Sequence, residues 1–123
     1  MTAVGLEELD VLELVNRFEA ITSAQCEASW LLQTARYNRL YRQMVEIRRE
    51  LQSRAGDQRR ALIALLQSDN VQVRMMAANT VLAIFPEQAK RALESVSESG
   101  IMPQAADASS MLDALANGGY VPS

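Results

Sequence analysis

The stretch LIALLQSDNVQVRMMAANTVLAI, residues 62–84, decides the fold class of this 123-residue chain. Leu62, Leu65 and Leu66 recur at the three- and four-residue spacing of one helix face. The Ser-Asp-Asn sequence at residues 68–70 is typical of a tight turn and offers two good N-caps. The stretch therefore predicts two short helices that are joined by a sharp turn.

This stretch resembles a HEAT-like helical repeat, including the short variety found in phycobilin lyase-like proteins. The resemblance rests on the leucines, the Asp-Asn turn, a Val-x-Val-Arg segment and a pair of alanines. The matching residues are Leu62, Leu65, Leu66, Asp69, Val73, Arg74, Ala77, Ala78 and Leu82. In such repeats the Asp and the Arg commonly pair between neighbouring units, so the resemblance implies structural roles for Asp69 and Arg74. We expect Asp69 to cap the helix after the turn and Arg74 to pack near that turn.

A weaker copy of the pattern follows 31 residues later, where Leu93 takes the place of Leu62. In this copy Gly100 and Ala105 occupy the positions of the Asp and the Arg. An Asp–Arg ladder therefore cannot extend into it. Because two repeats are fewer than a solenoid normally needs, the N-terminal half must supply the remaining core.

Helical periodicity continues through the rest of the chain, and no segment shows the alternation of a strand. The predicted helices cover residues 6–31, 35–54, 58–67, 71–85, 87–98 and 104–117. We expect Thr34 and Asp57 to cap the second and third of them, and Gly56 and Pro86 to mark helix ends. The sequence predicts one all-α domain over residues 1–123. Its parts are a long N-terminal helical hairpin (1–56) packed on two short HEAT-like hairpins (57–118), and a loose tail (119–123).

The chain as a whole is similar to a small bacterial family described only as a domain of unknown function. The similarity covers most of the length. It rests on NRLYRQM at residues 38–44, RAGDQRRALIALL at 54–66, the turn through 68–74, and PQAADAS at 103–109. This resemblance implies a helical fold and carries no mechanism with it.

The composition excludes the commonest catalytic and metal-binding chemistry. The chain has no histidine, which removes every Ser-His, Cys-His and His-metal mechanism. Its single cysteine, Cys26, cannot form an internal disulfide or make a zinc site by itself. We therefore expect no metal, no cofactor and a non-enzymatic role. A small enzyme that uses carboxylates or Cys26 stays open as an alternative.

Charge is spread unevenly along a chain whose net charge is −3. Residues 1–27 carry six acids and one arginine, whereas residues 36–74 carry nine arginines and four acids. Eleven of the twelve basic residues are arginine, which suits bidentate pairing and stacking. The basic segment is therefore either neutralised by the acids of the first helix or available to a partner.

The second predicted helix and its approach hold the candidate partner-binding residues. They combine arginines with aromatic side chains, which are types enriched at binding hot spots: Arg36, Arg39, Arg42, Arg49, Tyr37 and Trp30. We predict a protein-interaction module whose partner is a protein with an acidic surface. Binding of a nucleic-acid backbone by the same helix is the first alternative.

No segment predicts a membrane span or a signal peptide. The longest uncharged run, residues 75–86, has twelve residues, whereas a spanning helix needs about 20. Acidic residues already occur within the first 15 positions, unlike the basic and apolar start of a signal peptide. We expect a bacterial-type cytoplasmic protein.

Overall fold

The structure, a computed structural model, describes residues 5–123. Over these residues the chain forms α-helices and 3₁₀ segments and no strand, which confirms the all-α prediction. The elements are a 3₁₀ turn at Leu6–Glu8, α1 (Val11–Trp30), α2 (Thr34–Ser53), a 3₁₀ segment at Gln58–Leu65, α3 (Val71–Val81), α4 (Pro86–Glu98) and α5 (Gln104–Ala116). None of the described helices is long and apolar enough to cross a membrane.

The chain divides into two compact units, of which the first ends at Ala61 and the second begins at Leu62. The packing of the N-terminal hairpin on the two later hairpins, and the single domain over residues 1–123, stay predictions. Positions 1–4 of that predicted domain lie outside the described residues.

In the first unit, α1 and α2 pack against each other as a hairpin. Their apolar stripes meet, and Leu14, Phe18 and Leu51 are fully buried. The first helix starts five residues later than predicted, because Asp10 is its N-cap and accepts a 2.8 Å hydrogen bond from the Glu13 amide. The segment that precedes Asp10 forms a separate 3₁₀ turn.

The entry into α2 also differs from the prediction. Thr34 is the first residue of the helix, and Gln33 occupies the N-cap position without a capping bond to a backbone amide. Its Oε1 instead accepts from Arg36 Nη1 at 2.9 Å. Leu32 adopts a φ of +57° in the turn, and the Gln33 amide donates to the Ala28 carbonyl at 2.9 Å. The turn is therefore held by backbone bonds, and no threonine cap is needed.

The third predicted helix is a 3₁₀ segment rather than an α-helix. Its backbone amides donate to the carbonyl three residues earlier. The Arg60 amide donates to the Asp57 carbonyl, and the Leu66 amide donates to the Ile63 carbonyl. Asp57 caps the segment, since its Oδ1 accepts from the Arg59 amide at 3.3 Å. Leu62 and Leu65, the buried leucines within the segment, are three residues apart, a spacing that fits a 3₁₀ turn as well as an α-helical one.

In the second unit α3 packs on α4, and α4 packs on α5. Ala77 and Ala78 are fully buried, as expected of small residues that allow close helix approach. Pro86 marks the start of α4, as predicted, and is itself the first residue of the helix, one position before the predicted range of 87–98. Gly100 follows the end of that helix with a φ of +70°, a conformation that glycine adopts without a Cβ penalty.

The prediction that Asp69 caps the helix after the turn is wrong. The N-cap of α3 is Asn70, whose Oδ1 accepts from the amides of Gln72 and Val73 at 3.0 and 3.2 Å. Asp69 is exposed to solvent. Either residue type suits an N-cap, so the register of the turn decides which side chain faces the helix end.

Candidate functional site

Three of the predicted binding residues form an exposed line on α2. Arg39, Arg42 and Arg49, which we call the arginine row, are all exposed. None of them has an ion pair or a hydrogen bond with any of residues 5–123. With a rise of about 1.5 Å per residue, the row extends for about 15 Å along the helix.

The apolar stripe of α2 fixes the direction in which the row points. Met44, Ile47 and Leu51 are buried against α1, and they occupy the opposite side of the helix from Arg42 and Arg49. Because these two arginines are seven residues apart, or about two turns, they lie on one face. The exposure of the row therefore follows from the same pattern that builds the core of the hairpin.

Most other arginines of the basic segment have protein partners. Arg36 pairs with Glu27 of α1 at 3.3 Å, so an acid of the first helix neutralises the charge of this predicted binding residue. Arg54 pairs with Glu50 at 2.9 Å and donates to the Leu6 carbonyl at 3.0 Å. These contacts hold the hairpin together, and none of them involves the arginine row.

The tightest of these pairs joins Arg59 to Asp57. Arg59 is buried and donates from Nε and Nη2 to the two carboxylate oxygens at 2.9 and 2.7 Å. The Arg59 side-chain hydrogen bonds are the largest cause that holds the pKa of Asp57 below its usual value, against a smaller opposing effect of burial. This pair fixes the turn before the 3₁₀ segment, and Arg59 is not available to a partner.

One carboxylate lies beside the arginine row. Glu46 is exposed, one turn after Arg42 and one turn before Arg49, and it forms no ion pair with either of them. It lowers the local net charge of the surface from +3 to +2. The surface remains basic although the whole chain has a net charge of −3.

An apolar tip lies at the turn that leads into α2. Trp30, Leu31 and Leu32 are 57%, 57% and 86% exposed, and we call these three residues the apolar tip. The sequence predicted Trp30 as a binding residue but not the two leucines. A run of three large apolar residues at a helix end would have indicated an exposed apolar surface there. Tyr37, the other aromatic candidate, is half-buried near the start of α2.

The remaining candidates do not assemble into a catalytic centre. Cys26 is 2% exposed within α1, so its thiol is enclosed by the hairpin. Within residues 5–123, no group of three Cys, Asp or Glu side chains is placed to hold a metal ion. Asp69 and Arg74 do not pair with each other, and the Arg74 side chain instead lines a cavity in the second unit.

Comparison with known proteins identifies relatives of the whole chain. A family model described as a domain of unknown function, DUF2019, matches residues 12–116. The crystal structure of the protein RPA1889 from Rhodopseudomonas palustris CGA009 is 40% identical and superimposes with a TM-score of 0.93. The match covers 98% of this chain and 100% of that one. No curated protein matches the chain.

Proposed function

The chain belongs to the DUF2019 family, and we propose that it is a non-enzymatic protein-interaction module that binds an acidic protein surface through α2. One observation carries the proposal. Arg39, Arg42 and Arg49 are exposed on one helix and lack any carboxylate partner among the described residues, whereas Arg36, Arg54 and Arg59 are paired.

The chemistry of the arginine row favours a carboxylate-bearing partner. A guanidinium group presents donors in a planar fork that matches carboxylates bidentately, and arginine is enriched at interface hot spots. Because the described residues supply no acid to these three groups, they lose no internal pairing when a partner binds. The apolar tip begins within about two turns of Arg39 and offers the apolar contact that a charged row lacks.

We also propose a HEAT-like arrangement for α3, α4 and α5. Its support is a contact between the first turns of α3 and α5, at positions one residue out of the 31-residue register of the two repeats. Gln72 and Gln104 are the second residue of α3 and the first of α5, 32 residues apart, and Gln104 Nε2 donates to Gln72 Oε1 at 3.0 Å. Both side chains are fully buried. This amide pair links the repeats where an Asp–Arg ladder is impossible.

We further propose that the protein works in the bacterial cytoplasm. The proposal is supported by the cysteine content: the sequence has one cysteine, which is buried and forms no disulfide, as is usual in a reducing compartment. The similar protein from Rhodopseudomonas palustris gives a bacterial relative of nearly the same length.

Two variants of equal charge test the interaction proposal. The row variant combines R39Q, R42Q and R49Q, and the control variant combines R17Q, R60Q and K90Q, which lie outside α2. Each changes the net charge from −3 to −6. Tagged versions of the wild type and both variants are used for affinity purification from the source cells, followed by quantitative mass spectrometry. A protein recovered by the wild type and the control variant, and lost from the row variant, supports the proposal.

Thermal denaturation separates loss of binding from loss of fold. Exposed charges contribute about 0–1 kcal/mol to stability, so the row variant keeps its Tm within a few degrees of the wild type. A folded row variant that recovers the same proteins removes α2 from the function. Fluorescence anisotropy with single-stranded DNA, duplex DNA and RNA tests the nucleic-acid alternative. Salt-dependent binding that is lost in the row variant and kept in the control variant would favour that alternative.

A further inference from the structure

The second unit contains a cavity that is separate from the surface of α2. It has a volume of about 490 Å³ and lies between the end of the 3₁₀ segment, α3 and α4. Its size is within the range of about 300–1,000 Å³ that is typical of small-molecule sites. The cavity is therefore large enough for a small organic molecule.

Two arginines make the cavity basic. Arg74 of α3 and Arg91 of α4 both line it, and no carboxylate from the described part of the chain does. Neither arginine forms an ion pair with any described residue. A cavity with two unneutralised guanidinium groups attracts an anion.

The Arg74 Nε–H group lacks an acceptor among the residues that the structure describes. Its nitrogen is buried, and it has no hydrogen-bond partner among residues 5–123. Most buried polar groups in folded proteins have a partner, so this donor is an exception. An ordered water, or a ligand oxygen that replaces it, would supply the acceptor once the side chain turns Nε towards the cavity. Nε and one Nη of a guanidinium together hold two oxygens of a carboxylate or a phosphate side by side.

The rest of the lining is of mixed polarity. Ile63, Leu66 and Ala92 give an apolar surface, and Gln67, Gln88 and Ser95 add uncharged polar groups. An inorganic anion has no apolar group that would pack against the apolar residues of the lining. The lining fits a molecule with an oxyanion at one end and an apolar body at the other.

We propose that this cavity binds a small organic anion, a carboxylate or a phosphate carried on an apolar body, with Arg74 and Arg91 holding the oxyanion. The site is independent of the arginine row. It gives the second unit a ligand-binding role beyond the protein-interaction role proposed for α2.

Titration of the full-length protein with defined probes tests the proposal. The probes are benzoate and phenyl phosphate, with benzamide as a neutral isostere of benzoate. Two-dimensional ¹H–¹⁵N NMR of the arginine Nε–H groups measures binding, with the Arg74 and Arg91 signals assigned by their loss in R74Q and R91Q. In each of these variants the signal of the remaining arginine reports binding. We expect at least one of the two anions to bind with a Kd of about 1 mM, to shift the Arg74 signal, and to bind at least tenfold more tightly than benzamide.

Variants decide whether the arginines hold the anion. We expect R74Q to weaken binding at least tenfold and R91Q severalfold, whereas R17Q on α1 leaves it unchanged. R74K keeps the positive charge but loses the planar guanidinium group that binds two oxygens at once. It replaces R74Q as the test if R74Q does not fold. Benzamide binding as tightly as the anions, no binding of either anion at 10 mM, or wild-type affinity in both R91Q and R74K would overturn the proposal.

Discussion

Replacement of Asn70 by alanine tests the turn that organises the second unit. Asn70 Oδ1 accepts from the Gln72 and Val73 amides at 3.0 and 3.2 Å, so alanine leaves two donors at the start of α3 without a side-chain acceptor. Loss of an N-cap side chain costs about 1 kcal/mol. With an unfolding entropy of about 2.1 cal/mol/K per residue, that loss lowers the Tm of a 123-residue protein by about 4 °C.

The adjacent residue provides a matched control for this variant. Asp69 is exposed and is not the cap, so Asp69→Ala changes the free energy of unfolding by less than about 0.5 kcal/mol. Urea denaturation followed by circular dichroism at 222 nm reports on both units. The fluorescence of Trp30 reports on the first unit alone, since Trp30 is the only tryptophan. Equal midpoints for Asn70→Ala and the wild type, or a larger loss in Asp69→Ala, would refute the capping geometry.

Two further predictions concern buried and charged pairs. Gln104→Ala removes one partner of the buried Gln72–Gln104 bond and costs about 1–3 kcal/mol, to be measured by urea denaturation, whereas changing both residues to methionine costs less. Asp57→Asn tests the lowered pKa of Asp57: its pairing with Arg59 stabilises the fold above the unfolded pKa of about 3.9. The stability advantage of the wild type over Asp57→Asn is therefore constant from pH 5 to 8 and shrinks as the pH falls through the folded pKa. An advantage that grows with acidity would contradict this.

Sequence periodicity predicted the helices whose ends are set by proline and glycine. Pro86 and Gly100 bound α4 because each residue type has a strong backbone preference at that position. Elsewhere several residues suited the same position, and periodicity could not choose between them. Both Asp69 and Asn70 are good caps, and acids spread over residues 7–13 fit more than one start for α1.

The candidate site was predictable in part for a related reason. The apolar stripe of α2 was enough to place Arg39, Arg42 and Arg49 away from the core. Whether an acid of α1 meets a given arginine depends on how the two helices are rotated and shifted against each other. A single sequence does not encode that register in a readable way, so it could not separate the paired Arg36 from the unpaired row.

The dissociation constant of the isolated acidic partner, measured for both triple variants, tests the central claim most directly. If three exposed arginines each contribute about 0.7 kcal/mol, the row variant R39Q/R42Q/R49Q binds roughly 30-fold more weakly than the wild type. The control variant R17Q/R60Q/K90Q has the same net charge and stays within about threefold of the wild type. Equal weakening in the two variants, or none in the row variant, would contradict the assignment of partner binding to α2.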